Sequence, residues 1–226
     1  MVLQASHSDP AVARAALTRL CQAYWFPLYA YARRRGHNPD DAPDLTQEFF
    51  ARLIEKEWLA GLKPEGGRFR SFLLTAFNRF LANEIDRQTA LKRGGGQQVI
   101  SLDQVEAEHR YTLEPFTNET PEKIFERRWA LAVLDQALNR LSDEARSAGK
   151  QKNFDVLHPF LSREPSPGDY ERAAAELGFT SGAVATSVFR LRQRYRELLR
   201  ACVADTVSTP SQAEEEMRHL LAALRD

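Results

Sequence analysis

An all-α fold of two small helical domains follows from three features of the sequence. Apolar residues recur at three- and four-residue intervals through almost every periodic segment, and no stretch sustains the alternation of a half-buried strand. Helix punctuation is frequent, with Asn38, Thr120 and Thr180 placed as caps and Gly36 and Gly178 placed as stops. A glycine-rich, polar stretch with weak periodicity, residues 94–120, reads as a flexible linker. The expected organisation is therefore a domain over 1–93, a linker over 94–120, a second domain over 121–204 and a tail over 205–226.

Taken in order, residues 11 to about 35 carry two helical stretches parted at WFPLY, where Pro27 suits a first-turn position. Asn38 and Pro39 look like the cap and first residue of the next helix, whose stripe is Leu45, Phe49, Leu53 and Ile54. Pro43 sits awkwardly there, so this helix is expected to begin in earnest around it. KPEGG is a turn. The long helix after it repeats Phe69, Phe72, Leu73, Ala76 and Phe80 at helical spacing. Phe72 and Phe80 are assigned to the core, while Phe77 lies nearer the stripe's edge and is left open.

Beyond the linker, Thr120 caps a helix with Pro121 at its first position and Ile124, Leu131, Leu134, Leu138 and Leu141 on one side. FDVLHPFL is a shorter helix, and REPSPG is a turn. Asp169 is expected to cap a helix that puts Tyr170, Ala173, Ala174 and Leu177 on one face. Gly178 closes it in a left-handed conformation. Thr180 caps the following helix, and two helices around such a turn have the form of a helix-turn-helix.

Composition narrows the function. Lys+Arg and Asp+Glu both number 31 in 226 residues, so the chain as a whole exerts no net pull on polyanions. Any nucleic-acid binding must come from local basic patches. Cys21 and Cys202 form no CxxC pair, and the five histidines lack metal-ligand spacing, so neither metal nor cofactor is expected. No apolar run approaches the roughly 20 residues of a membrane span, and the N-terminus lacks a signal-peptide pattern. A soluble cytoplasmic protein is expected. No Ser/His/Asp, Cys/His, paired-carboxylate or phosphate-loop arrangement suggests an enzyme.

The stretch ELGFTSGAVATSVFRLRQRYRELLR holds five arginines and an isolated phenylalanine on one helix. At about 100° per residue, Val188, Leu191, Tyr195, Leu198 and Leu199 fall near Val184 and form the core face. Thr186, Phe189, Arg190, Gln193 and Arg196 land opposite. An aromatic on that far side suits a recognition helix, where a ring packs on a thymine methyl and arginine reads guanine or holds phosphate.

Two motifs together carry a family resemblance. DAPDLTQEFFARL followed by FRSFLLTAFNRFLANEIDR resembles region 2 of bacterial RNA polymerase sigma factors, and DYERAAAELGFTSGAVATSVFRLRQRYRELL resembles their region 4. The two-domain layout is similar to the extracytoplasmic-function group of the sigma-70 family, over most of residues 12–203. The resemblance implies a non-catalytic sigma factor that directs core RNA polymerase to promoter DNA. It implies core contacts to the clamp helices of the largest subunit and the flap of the second largest, and it allows for an anti-sigma factor. By position, Asp44, Leu45, Gln47 and Glu48 would bind core polymerase; Asp44, Gln47 and Glu48 also form one polar ridge by helical spacing. Arg68, Arg70, Asn78, Arg79, Asn83, Arg87, Lys92 and Arg93 would meet the −10 element. Thr180, Ser181, Ala185, Thr186, Phe189, Arg190 and Arg194 would meet the −35 element. Family members often have Arg-Asn where this chain has Asn78-Arg79, and a basic residue at the position of Ala185.

The competing reading is a helix-turn-helix regulator that does not act through core polymerase, whose N-terminal half would dimerise or sense a ligand. A further reading is an interaction protein of sigma-like fold. In the tail, Ser211 and Glu214 stand at capping-box spacing after Pro210. Met217, Leu220, Leu221 and Leu224 then make a short amphipathic helix, expected to dock on the C-terminal domain.

Overall fold

The computed structural model describes residues 10–55, 69–91, 102–112, 119–207 and 209–225; for 10–20, 22, 55, 85–91 and 102–106 it describes backbone only. Every regular element among the described residues is helical, as the sequence pattern predicts. In chain order they are α1 (Pro10–Arg34), α2 (Asp41–Glu55), α3 (Phe69–Leu91), α4 (Leu102–Thr112), α5 (Pro121–Ser147), α6 (Gln151–Leu157), a 3₁₀ turn (His158–Leu161), α7 (Asp169–Leu177), α8 (Ser181–Ala204) and α9 (Pro210–Ala223).

The chain divides into two compact units. One comprises residues 1–132 together with 204–226, the other residues 133–203. The division falls inside α5, not at the glycine-rich stretch. Part of that stretch, expected as linker, is the helix α4. The glycines Gly94–Gly96 and the KPEGG turn lie outside the described residues.

The first unit is built on aromatic packing. Tyr24, Tyr29 and Tyr31 of α1, Phe49 of α2, Phe77 and Phe80 of α3, and Phe125 and Trp129 of α5 are all buried. Phe49 and Phe77 meet edge-on with ring centroids 5.0 Å apart, and Tyr31 lies edge-on to Phe125 at 6.4 Å. Phe77 is thus core, whereas Phe72 is only half-buried. Helix α1 runs unbroken through Pro27, correcting the expected break at WFPLY. Pro27 is itself buried, as are Tyr24 and Leu28 of the same helix, and burial of this segment offsets the one lost backbone hydrogen bond.

Helix α2 begins at Asp41. The Asn38 side-chain carbonyl accepts hydrogen bonds from the backbone N–H groups of Asp40 and Asp41. Pro43 lies in the first turn, where an N–H has no intrahelical partner, so it is no obstacle. Ile54, expected in the stripe, is exposed. Helix α4 is fastened to α1 by Arg33, whose Nε and Nη2 each lie 2.9 Å from a Glu108 oxygen, while the Tyr29 hydroxyl donates to the same carboxylate.

In α5 the most buried side chains are Ile124, Phe125, Trp129, Ala130, Val133, Ala137 and Leu141, while Leu131, Leu134 and Leu138 are half-buried. The face expected there is displaced: the buried stripe runs through Phe125, Trp129, Val133, Ala137 and Leu141 at four-residue spacing. The two parts of the helix belong to different units.

The second unit packs Leu157, Phe160, Ala173, Ala174, Val184 and Val188 into one core, with Tyr170, Leu177 and Leu191 against it. Asp169 is the first residue of α7, not its cap; Gly168, at φ 83°, occupies that position. The Asp169 carboxylate reaches back to the Ser166 N–H at 2.8 Å. Gly178 has φ 69°, a left-handed conformation that glycine adopts without Cβ strain, and it ends α7 as expected.

Helix α9 belongs to the first unit, which corrects its expected docking on the C-terminal domain. Its cap is Thr209, whose hydroxyl accepts from the Gln212 N–H, in place of the expected Ser211. Leu220 is fully buried, but Leu221 and Leu224 are exposed.

Candidate nucleic-acid interface

The first unit presents two exposed polar strips. On α2, Asp44 and Gln47 are exposed and Glu48 is partly so, forming the expected ridge. Leu45, one residue along, is buried and supports the ridge from beneath. Arg52 sits one turn on and reaches both Glu48 at 2.5 Å and the buried Glu84 of α3 at 2.7 Å. That bridge ties the two helices and fixes the position of Glu48.

On α3 the exposed residues Ser71, Thr75, Arg79, Ala82 and Asn83 follow helical spacing. Arg79 and Asn83 are therefore brought together on one strip. Asn78 is set back, its side-chain oxygen accepting from the Tyr31 hydroxyl at 2.7 Å. Burial raises the Tyr31 pKa, which keeps that hydroxyl protonated as a donor. Asn78 is consequently positioned by the core. Ser71 and Thr75 join this strip although the sequence reading passed over them; their signal was the same spacing that selected Arg79.

Arg70 departs from its expected exposure. Its side chain is 4% exposed. Nε meets Glu216 of α9 at 2.8 Å, Nη1 meets Glu126 of α5 at 3.0 Å, and the guanidinium lies 4.7 Å from the centre of the Trp129 ring. Nothing in the local sequence signals this, because Glu216 lies 146 residues away. Arg68, Lys92 and Arg93 lie outside the described residues, as does the side chain of Arg87.

The second unit answers which side of α8 faces outward. Val184, Val188, Leu198 and Leu199 are buried, and Leu191 and Tyr195 partly so. Phe189 is 60% exposed, with Thr186, Arg190, Gln193 and Arg196 exposed on the same side. The Thr180 hydroxyl accepts from the Ala183 N–H at 3.2 Å and so serves as the helix cap. Ser181 and Ala185 are half-buried. A second exposed aromatic, Phe179, follows Gly178 in the turn; its place beside a left-handed glycine was the available signal.

The arginines of α8 divide by task. Arg192 donates to the backbone carbonyls of Phe160 and Arg163 and so holds the 3₁₀ turn. Arg194 grips Glu144 of α5 through two bonds of 2.9 and 2.7 Å and also meets Glu197 at 2.7 Å. These bonds hold the Glu144 carboxyl below its ordinary pKa and raise that of Arg194. Arg194, expected to meet DNA, is 49% exposed and pairs within its own unit. Arg190 stays exposed. Beneath the turn, Asp169 is held well below the usual carboxylate range by Arg163, at 2.5 Å, then by the Ser166 N–H and by Arg172.

Among the described residues, no group of three or more His, Cys, Asp or Glu side chains could hold a metal ion. No described helix is long and apolar enough to cross a membrane. The arrangement offers exposed polar and aromatic strips on helices, suited to binding macromolecules.

Comparison with known families places one part of this geometry. Residues 20–90 match the family model described as sigma-70 region 2. The matched stretch takes in the described end of α1, all of α2 and nearly all of α3, and so includes both strips of the first unit. No curated protein and no solved structure matches the chain.

Proposed function

We propose that this protein is a sigma factor of the extracytoplasmic-function type, which binds core RNA polymerase in the cytoplasm and directs it to specific promoters. The observation that carries the reading is the sigma-70 region 2 match over residues 20–90, which includes the exposed α2 ridge and the polar α3 strip. The chain contributes binding and no bond-making step.

In this reading Asp44, Gln47 and Glu48 contact the clamp helices of the largest subunit. Arg79 and Asn83, with Thr75 beside them, meet the opened −10 strand, where polar side chains can bond to base edges and arginine to phosphate. Helices α7 and α8 act as a helix-turn-helix. Thr186, Phe189 and Arg190 enter the major groove at −35. Zero net charge accords with this division of labour, because few phosphate contacts give weak DNA binding until polymerase supplies the rest.

The test is capture of core polymerase from cell extract by the tagged chain, followed by transcription with the purified components. Asp44→Ala combined with Gln47→Ala should weaken polymerase binding by about 1–3 kcal/mol per lost charge-assisted contact, with the circular dichroism spectrum intact. A stable dimer that binds a palindromic duplex without polymerase would instead identify a helix-turn-helix regulator.

A further inference from the structure

Helix α9 returns from the end of the second unit to close on the first, and the manner of its closure is unusual for a merely stabilising helix. Glu216 is 2% exposed and its partner Arg70 is 4% exposed, so both charges are removed from water. Such a pair loses much of its attraction to desolvation, and an apolar contact of similar size would hold a structural helix at least as well. The apolar part of the hold is incomplete. Leu220 is buried and Met217 half-buried, while Leu221 and Leu224 of the same stripe face solvent. A helix of this length is marginal by itself in water. Its docking draws on Leu220, the half-buried Ala213, Met217 and Ala223, the ion pair and the polar surroundings of Tyr24, Trp129 and Thr206.

Arg70 stands at the second residue of α3, the helix that carries the Arg79 and Asn83 strip. A carboxylate presents to a guanidinium the same planar pair of acceptors that two phosphate oxygens present. Glu216 therefore occupies a cation at the start of the candidate nucleic-acid helix, and it does so from a helix whose apolar stripe is only partly covered.

We propose that α9 is an autoinhibitory latch: docked, it keeps Arg70 and the beginning of α3 from nucleic acid, and released, it leaves that guanidinium, with Glu126 of α5 still beside it, open to a DNA phosphate. The proposal rests on the reading of the first unit as a nucleic-acid binder. It adds that the chain itself regulates that surface.

Three variants of the full chain test it. Glu216→Gln weakens the ion pair, Thr209→Ala removes the α9 cap without touching the pair, and a chain ending at Val207 lacks the helix. Each is compared with the parent for hydrogen exchange over 209–224 and for binding to a fluorescent single-stranded oligonucleotide of mixed sequence. Core polymerase capture is measured alongside. Faster exchange and roughly fivefold or greater tighter DNA binding are expected, with the shortest chain tightest, because apparent affinity rises with the fraction of open molecules. If the shortened chain fails to fold, Thr209→Ala decides. Unchanged or weaker DNA binding despite a loosened α9 overturns the latch. DNA binding by no variant, with polymerase capture intact, also overturns it while leaving the sigma reading; loss of both overturns that reading itself.

Discussion

Phe189 and Arg194 lie five residues apart on α8 and meet opposite fates. The ring of Phe189 faces water, while the guanidinium of Arg194 is bound to Glu144 and Glu197. Phe189→Ala should therefore change stability by less than about 0.5 kcal/mol, as for other surface substitutions, yet relax preference for a particular thymine in the promoter. A lowered melting temperature would show that Phe189 packs in a core. Arg190→Ala should cost roughly 1–3 kcal/mol in a base-selective manner if the side chain forks onto a guanine. Arg194→Ala should leave promoter selectivity alone, and transcription assays on both variants separate the two roles. Asp169 supplies a pH test. Its folded pKa is depressed, so its contribution is full above the ordinary aspartate pKa near 4 and is lost as pH falls through the folded value. Acid titration of the second unit should show a loss of stability below about pH 4 that Asp169→Asn abolishes. An unchanged acid limb in the variant would remove Asp169 from that role.

Among the elements, those with local rules were legible and those held by distant partners were not. The core face of α8 follows from the spacing of Val184, Val188, Leu198 and Leu199, and the end of α7 from Gly178, because periodicity and positive φ are written within a few residues. The run of α1 through Pro27 was not legible, since it depends on aromatic packing supplied by α2, α3 and α5. Helix α4 was hidden for a related reason: its periodicity is weak and its hold on α1 comes from Arg33 and Tyr29, more than seventy residues earlier. The candidate site divides the same way, with exposed Arg79, Asn83 and Phe189 readable from spacing and buried Arg70 not. For α4 the consequence is testable. Burial works against the Glu108 charge, but the Arg33 and Tyr29 bonds outweigh it and leave its pKa below the ordinary value. Glu108→Gln should cost about 1–3 kcal/mol as a charged hydrogen-bonded group is lost and speed hydrogen exchange across 102–112. Unaltered exchange there would mean that α4 is held by other contacts.

At the scale of the whole molecule, the chain leaves the first unit at Ala132 and rejoins it at Ala204, so the second unit is an insertion within the first. Each unit has its own buried core, mainly aromatic in the first and built around Val184, Val188, Leu157 and Phe160 in the second. Calorimetry of the intact chain should accordingly resolve two transitions. The smaller belongs to residues 133–203, with an enthalpy of roughly 50 kcal/mol at about 0.7 kcal/mol per residue. Ending the chain at Val207 removes α9, its buried Leu220 and one of the two carboxylates that meet Arg70, all of which lie in the first unit. The first transition should then move down and the second stay in place, since no side chain of the second unit's core is lost. A fragment spanning 133–203 should melt where the second transition lies. If truncation lowers the second transition instead, α9 serves the second unit, as the sequence pattern alone suggested. If the chain melts in one step at every length, the two cores are coupled through α5, the helix whose two halves they share.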